Sequence, residues 1–153
     1  MPGRLRVRSV DFVIHSLTKG IGGFGTDMGG VVIGRNEFRD LLLLYRKDFG
    51  AVLNTKSAWA ILTYGLPSLH LRQKQQINSA KRIAEYLENH PKVEWIKYPG
   101  LKSFEQYDLV KKQMSGFGSM ISFGLKGGYE AGKTLMDNVH LATLAVSLGG
   151  VET

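Results

Sequence analysis

Apolar positions along the chain change spacing several times, and each change marks an element. Val10, Phe12, Val13 and Ile14 form a β-branched and aromatic run suited to a buried strand. A second such run, Gly29-Gly30-Val31-Val32-Ile33-Gly34, reads as another strand. Phe38 to Arg46 reads as helical or partly helical, Lys47 to Thr55 as turn-rich, and Ser57 to Glu88 as mostly helix. In the second half of that helix Ile77, Ala80, Ile83 or Ala84, and Leu87 recur at helical spacing. Gln73, Lys74, Lys81, Arg82 and Glu85 fall off that face. Pro67 predicts a bend or break near Gly65-Leu66-Pro67, and Asn89-His90-Pro91 ends the helix.

The remainder alternates. Val93 to Tyr98 predicts a strand, Pro99-Gly100 a turn, Glu105 to Gln113 a polar helix and Phe117 to Phe123 a strand. Tyr129 to Val139 predicts a helix with Leu135 and Val139 inward, and Leu141 to Ser147 a closing strand. Strand, helix, strand, helix, strand is an α/β alternation. Trp59, Tyr64, Trp95 and Tyr98 are expected to be core or interdomain residues, because no spacing makes them a stacking platform.

Composition changes this picture little. At 153 residues the chain is long enough to bury a full core. The absence of cysteine removes disulfides, thiol nucleophiles and cysteine metal sites together. His15, His70, His90 and His140 lack metal-ligand spacing, so no metal is expected. Apolar runs fall far short of a membrane span, and the basic stretch Met1 to Arg8 lacks the apolar region of a signal peptide. A soluble, cytoplasmic chain is the expectation. The net charge of +7 is scattered, without a nucleic-acid-binding motif to organise it, and reads as solvated surface that also suits a phosphate and a carboxylate.

The chemistry concentrates between Asp11 and Gly30, DFVIHSLTKGIGGFGTDMGG. Ser16 and Thr18 are two residues apart and share a face in extended backbone, so two hydroxyls can bind one phosphate dianion through charge-assisted bonds. Lys19 follows directly. An amine attacks an aldehyde only as the free base, and an ordinary lysine with a pKa of about 10.4 is almost wholly protonated at neutral pH. Desolvation and a neighbouring cationic ring both favour the neutral amine. The plain alternative is a solvated lysine at a strand end. Gly20, Gly22 and Gly25 also spell G-x-G-x-x-G, but a dinucleotide fingerprint must open a helix, whereas this loop runs into a strand. The glycines are better read as permitting positive φ and close backbone approach.

Asp11, Val13, His15, Ser16, Thr18, Lys19, Gly22, Gly23 and Gly30 resemble the cofactor-lysine segment of the Cys/Met-metabolism family of pyridoxal-phosphate (PLP) enzymes. That family includes methionine γ-lyase, cystathionine γ-synthase and lyase, and O-acetylhomoserine sulfhydrylase. Gly20, Phe24 and Thr26 stand where the family usually has tyrosine, histidine and aspartate, departures that bear on the exact activity. Arg82 to Leu101, RIAEYLENHPKVEWIKYPGL, resembles the family's passage from a long interdomain helix into a small C-terminal domain. Leu144 to Thr153 resembles its S-L-G-x-x-[ED]-[TS] motif.

The resemblance implies an α/β chain of PLP-dependent transferase fold type I. Residues 1–66 would end the large cofactor domain, and residues 67–153 would form the interdomain helix and most of the small domain. It implies pyridoxal 5'-phosphate as cofactor, Lys19 as the Schiff-base lysine, Ser16 and Thr18 as phosphate ligands, and Ser147 as a group reaching toward the lysine and the substrate carboxylate. From spacing alone Ser147 reads as a strand-end cap, and only the resemblance gives it a role at the lysine. His15 is placed under the lysine by adjacency only. The implied activity is a carbon–sulfur lyase or γ-replacement enzyme of transsulfuration. Its substrate would be a sulfur-containing or O-acylated homoserine-type amino acid, and a full subunit would form a homo-oligomer such as a homotetramer, without nucleic-acid or membrane partners. The family's ring-pairing aspartate, stacking tyrosine and carboxylate-binding arginine match nothing here, so a partial subunit, inactive alone, is expected. The alternatives are a catalytically incomplete PLP-binding fragment with an interaction role and a non-enzymatic phosphate-binding module.

Overall fold

The computed structural model describes residues 10–151. The basic stretch at Met1 to Arg8 and the motif residues Glu152 and Thr153 lie outside them. The described residues form two compact units, residues 10–69 with 147–151 and residues 70–146.

In the first unit, β1 (Phe12–Ser16) pairs antiparallel with β2 (Gly30–Gly34), from Phe12 opposite Gly34 to Ser16 opposite Gly30. The glycine loop is therefore a strand-to-strand connection. Gly34 lies under the Phe12 ring: a Cβ there would sit 2.8 Å from Phe12 Cδ1. Phe12 also meets Phe38 with ring centroids 4.9 Å apart. The expectation of a buried strand is corrected. β1 forms, yet Ile14 is 73% exposed, because a two-stranded ribbon leaves its faces uncovered.

A short 3-10 turn at Asn36–Phe38 leads into α1 (Arg39–Phe49). This helix runs beyond Arg46, into what was expected to be turn, and stops at Gly50, whose φ of 79° only glycine adopts readily. Asn54 Oδ1 accepts from the Ser57 amide at 2.8 Å and caps α2 (Thr55–Ala60). A five-residue π turn, Ile61–Gly65, then joins α2 to α3 (Leu66–Glu88). Pro67 does not break the helix: Ala60 and Leu66, on either side of the π turn, both have helical dihedrals, and α3 runs on through Pro67 to Glu88. The chain widens just before the residue that lacks an amide hydrogen, and the Ser68 hydroxyl donates to Tyr64 O at 2.7 Å.

The second unit packs Ala80 and Ala84 of α3 against Tyr98 and Leu101, with Ile96, Phe117 and Ile121 beside them. The face uses Ala84 rather than Ile83, which is exposed; small residues let the large Tyr98 side chain close on the helix. β3 (Val93–Lys97) and β4 (Ser122–Leu125) pair antiparallel, with an irregularity between Val93 and Trp95. β4 starts later than the expected strand at Phe117, because Gly118 turns at φ 72° and Phe117 packs on Tyr107 with centroids 5.9 Å apart. α4 (Tyr107–Gln113) and α5 (Gly128–Asn138) match expected helices, although Leu135 is exposed rather than inward. No strand forms at 141–147: those residues have no pairing partner among the described residues, and Leu141 and Val146 are exposed. Of the four aromatics expected inside, Tyr98 is buried, whereas Trp59, Tyr64 and Trp95 are about half exposed.

Tyr98 is the keystone of this core, fully buried with its hydroxyl donating to Gly118 O at 3.0 Å. Tyr98→Ala should lower stability by about 3–5 kcal/mol and Tyr98→Phe by about 1 kcal/mol, read from urea unfolding. Equal losses in the two variants would contradict this division. Burial, and secondarily Glu85, raise the Tyr98 pKa above 10.0. The contribution is thus full below about pH 10 and is lost as pH climbs through the higher folded value.

Candidate functional site

The lysine segment leaves extended geometry as β1 ends. Leu17 N–H donates to Gly29 O at 2.8 Å, and Leu17–Ile21 forms a π-type turn closed by Gly22 N to Leu17 O at 2.8 Å and Gly23 N to Lys19 O at 2.9 Å. Lys19 itself lies outside helical dihedrals, at φ −88°, ψ −134°, so the turn is kinked at the lysine. The expectation that Ser16 and Thr18 share one face of extended backbone is therefore corrected. Two-residue periodicity fails once the second residue is in a turn. Thr18 Oγ1 faces Gly29, accepting from its amide at 2.9 Å and approaching its carbonyl at 3.4 Å. Ser16 is exposed, and its side chain makes no capping bond to the turn. His15 pairs across the ribbon with Val31 and is exposed.

The structure brings Lys19 and Ser147 together. Lys19 Nζ donates to Ser147 Oγ at 3.2 Å, across 128 positions of sequence. Glycines surround this turn where side chains would collide. A Cβ at Gly22 would lie 2.5 Å from Leu17 O, one at Gly65 2.7 Å from Ile21 O, and one at Gly149 2.6 Å from Gly20 N. Gly149 also has a φ of +83°. The sequence marks Gly65 only as a neighbour of the Pro67 bend and gives Gly149 no role of its own. For Gly149 the available signal was its place in the stretch Leu144 to Thr153 that resembles the family motif; Gly65 lies outside every stretch that carries the resemblance.

An open cleft of about 770 Å³ begins where the lysine turn ends, lined among others by Thr26, Asp27, Asn54, Lys56, Ser57 and Tyr64. Neither Lys19 nor Ser147 lines it, so the amine and the cleft are separate features. Asp27 has its pKa lowered by hydrogen bonds from Ser57 and Thr26, with Lys56 adding attraction. This carboxylate stabilises the fold above its ordinary value, and that contribution fades as pH falls through the lower folded value. Among the described residues no group of acidic, histidine or cysteine side chains could hold a metal, and no helix is long and apolar enough to cross a membrane.

Residues 6–153 match the family model described as Cys/Met metabolism PLP-dependent enzyme. The chain is 47% identical over 146 residues to an L-methionine gamma-lyase of Fusobacterium nucleatum subsp. nucleatum, covering 94% of this chain and 37% of that protein. It is 39% identical over 143 residues to an O-succinylhomoserine sulfhydrylase of Pseudomonas aeruginosa, covering 94% and 35%. Among solved structures, a cystathionine gamma synthase from Xanthomonas oryzae pv. oryzae, in complex with aminoacrylate and cysteine, superposes with a TM-score of 0.89 at 36% identity, covering 94% of this chain and 37% of that one. The chain thus spans 35–37% of the length of these relatives and carries the corresponding part of an α/β fold of type I.

The Thr18 hydroxyl satisfies a part-buried backbone amide, so its loss should be felt locally. Thr18→Val is expected to cost about 1–3 kcal/mol in closure of this loop, speeding Gly29 amide hydrogen exchange roughly five- to a hundredfold, while Thr18→Ser keeps protection near the original. Unchanged exchange at Gly29 in the valine variant would contradict the assignment.

Proposed function

The chain belongs to the Cys/Met metabolism PLP-dependent enzymes, and from that premise we propose that Lys19 is its cofactor lysine, working with Ser16, Thr18 and Ser147. Pyridoxal 5'-phosphate is the cofactor of the family. The donor set fits it: an amine for an aldehyde, a hydroxyl with no capping bond on Ser16 for phosphate, and a turn whose glycines keep side chains off the backbone. When bound, PLP supplies an aldehyde for the amine and a ring that draws electrons from the α-carbon of an amino acid.

The chain's own residues then divide the work. Lys19 Nζ holds the cofactor and moves protons at substrate carbons. Ser147 Oγ accepts from that amine, orients it, and itself reaches toward the substrate carboxylate. Ser16 Oγ donates to phosphate directly. Thr18 has one hydroxyl proton, so donating to phosphate means giving up its long 3.4 Å approach to Gly29 O while still accepting from the Gly29 amide. The observation that carries this reading is the bond from Lys19 Nζ to Ser147 Oγ, because it joins two segments that match the family pattern independently.

The reaction follows as a carbon–sulfur lyase of the methionine γ-lyase or cystathionine γ-lyase type, or a γ-replacement, on a sulfur-containing or O-acylated homoserine-type amino acid, in a cytoplasmic homo-oligomer. Residues 1–66 belong to the cofactor domain and 67–153 to the interdomain helix and small domain, with 147–151 returning to the lysine. A second reading, a PLP-binding piece that acts by association, is favoured by the exposure of Ile14, Phe49 and Val146. Turnover of methionine, cystathionine or O-acetylhomoserine separates the two.

Borohydride treatment with PLP, followed by peptide mapping, should place the pyridoxyl label on Lys19 and lose it in Lys19→Ala. Ser16→Ala should weaken PLP binding about ten- to a hundredfold, the equivalent of one charge-assisted bond. Label scattered over other lysines, or unchanged affinity in Ser16→Ala, would sink the assignment.

A further inference from the structure

We infer that Gly65 and Gly149 are positioning residues that clamp the Lys19 turn between two Cβ-free backbones and thereby set the distance between Lys19 Nζ and Ser147 Oγ. Its catalytic meaning rests on Lys19 being the cofactor lysine; the geometry does not.

The turn Leu17–Ile21 carries no buried side chain to lock it, so its position comes from backbone contact. One contact is Gly65, the last residue of the π turn Ile61–Gly65, where a Cβ would meet Ile21 O at 2.7 Å, Gly22 O at 2.8 Å and Gly22 Cα at 3.0 Å. The other is Gly149, where a Cβ would meet Gly20 N at 2.6 Å, Gly20 Cα at 3.0 Å and Lys19 C at 3.2 Å. All of these neighbours are main-chain atoms, which cannot rotate away as a side chain can. Carbon contacts relax near 3.5–4.0 Å, so a methyl at either place must push the turn by roughly 1 Å.

Each glycine touches the turn on its own stretch of backbone, Gly149 at 19–20 and Gly65 at 21–22. Gly149 follows Ser147 by two residues, so the contact that brings it onto Gly20 also delivers the serine to the lysine. Gly65 is delivered by the extra residue of the π turn, a device that recurs at functional sites. A displacement of about 1 Å breaks a 3.2 Å hydrogen bond and can cost around a hundredfold in a reaction needing that alignment.

The chain has no cysteine, so Ser147→Cys provides a single thiol for a short amine–thiol cross-linker. Lys19 should be its partner by peptide mapping. Adding Gly149→Ala or Gly65→Ala should lower the rate of that cross-link about tenfold or more. Adding Gly25→Ala should not, because Gly25 has a similar φ of +66° but nothing within 4 Å of its Cβ position. Unchanged rates in both clamp variants, or an equal loss in Gly25→Ala, would overturn the inference. Should a clamp variant fail to fold, the unsubstituted chain still decides: NMR should show strong nuclear Overhauser contacts from Gly149 Hα to the Gly20 amide hydrogen, and their absence overturns the clamp. Borohydride labelling reports separately on Lys19 as cofactor lysine, so either idea can fail alone.

Discussion

Backbone lying directly on backbone, with no Cβ between, is the constraint from which the site follows. The turn that carries Lys19 is approached at Gly20 by Gly149 and at Ile21 and Gly22 by Gly65, at separations that no other residue permits. Such packing needs the approaching chain to be held in its own right. On one side the hydrogen bonds of Leu17 and Thr18 to Gly29 close the base of the loop between β1 and β2. On the other, a π turn supplies the extra residue that carries Gly65 to the turn. Gly22, whose Cβ would lie 2.5 Å from Leu17 O, is like Gly65 and Gly149 a steric requirement, and the dinucleotide-like spacing around it is incidental.

The bond between Lys19 and Ser147 contributes through direction more than through stability. An exposed hydrogen bond of 3.2 Å adds little to folding, since water competes for both partners. Its value is that an amine on a flexible four-carbon stem acquires one preferred heading. Orientation of that kind is what proton transfer between adjacent carbons requires, and it is set before any ligand arrives. Thr18 shows the same economy: its hydroxyl satisfies the Gly29 amide first, and any role toward phosphate is built on that contact.

Elements set by local chemistry were legible from the chain; those set by packing were not. The antiparallel ribbon, the long helix and α5 follow from β-branched runs, periodicity and breakers, and each formed near its expected place. The meeting of Lys19 with Ser147 was legible because a family pattern tied their two distant segments together. Burial was less legible. Ile14, Leu135 and Trp59 carry apolar side chains suited to an interior, yet they stay 40–73% exposed. The strand expected at Leu141 to Ser147 has the right composition and no partner, and a strand is a property of pairing. Pro67 misled for the opposite reason, since a π turn absorbed the missing amide that a regular helix could not. The bond between Thr18 and Gly29 escaped because it is made to main-chain atoms, which leave no mark in the sequence.

The central claim is that one lysine is held by one serine before any cofactor binds. Nitrogen-15 spectroscopy of the lysine side-chain amines tests it most directly on the unliganded chain. The account predicts one Nζ resonance with slowed hydrogen exchange that disappears in Lys19→Arg and, in Ser147→Ala, moves to the position of freely exposed lysines. If every lysine resonance is indifferent to Ser147→Ala, Lys19 is an ordinary surface lysine and the account is wrong.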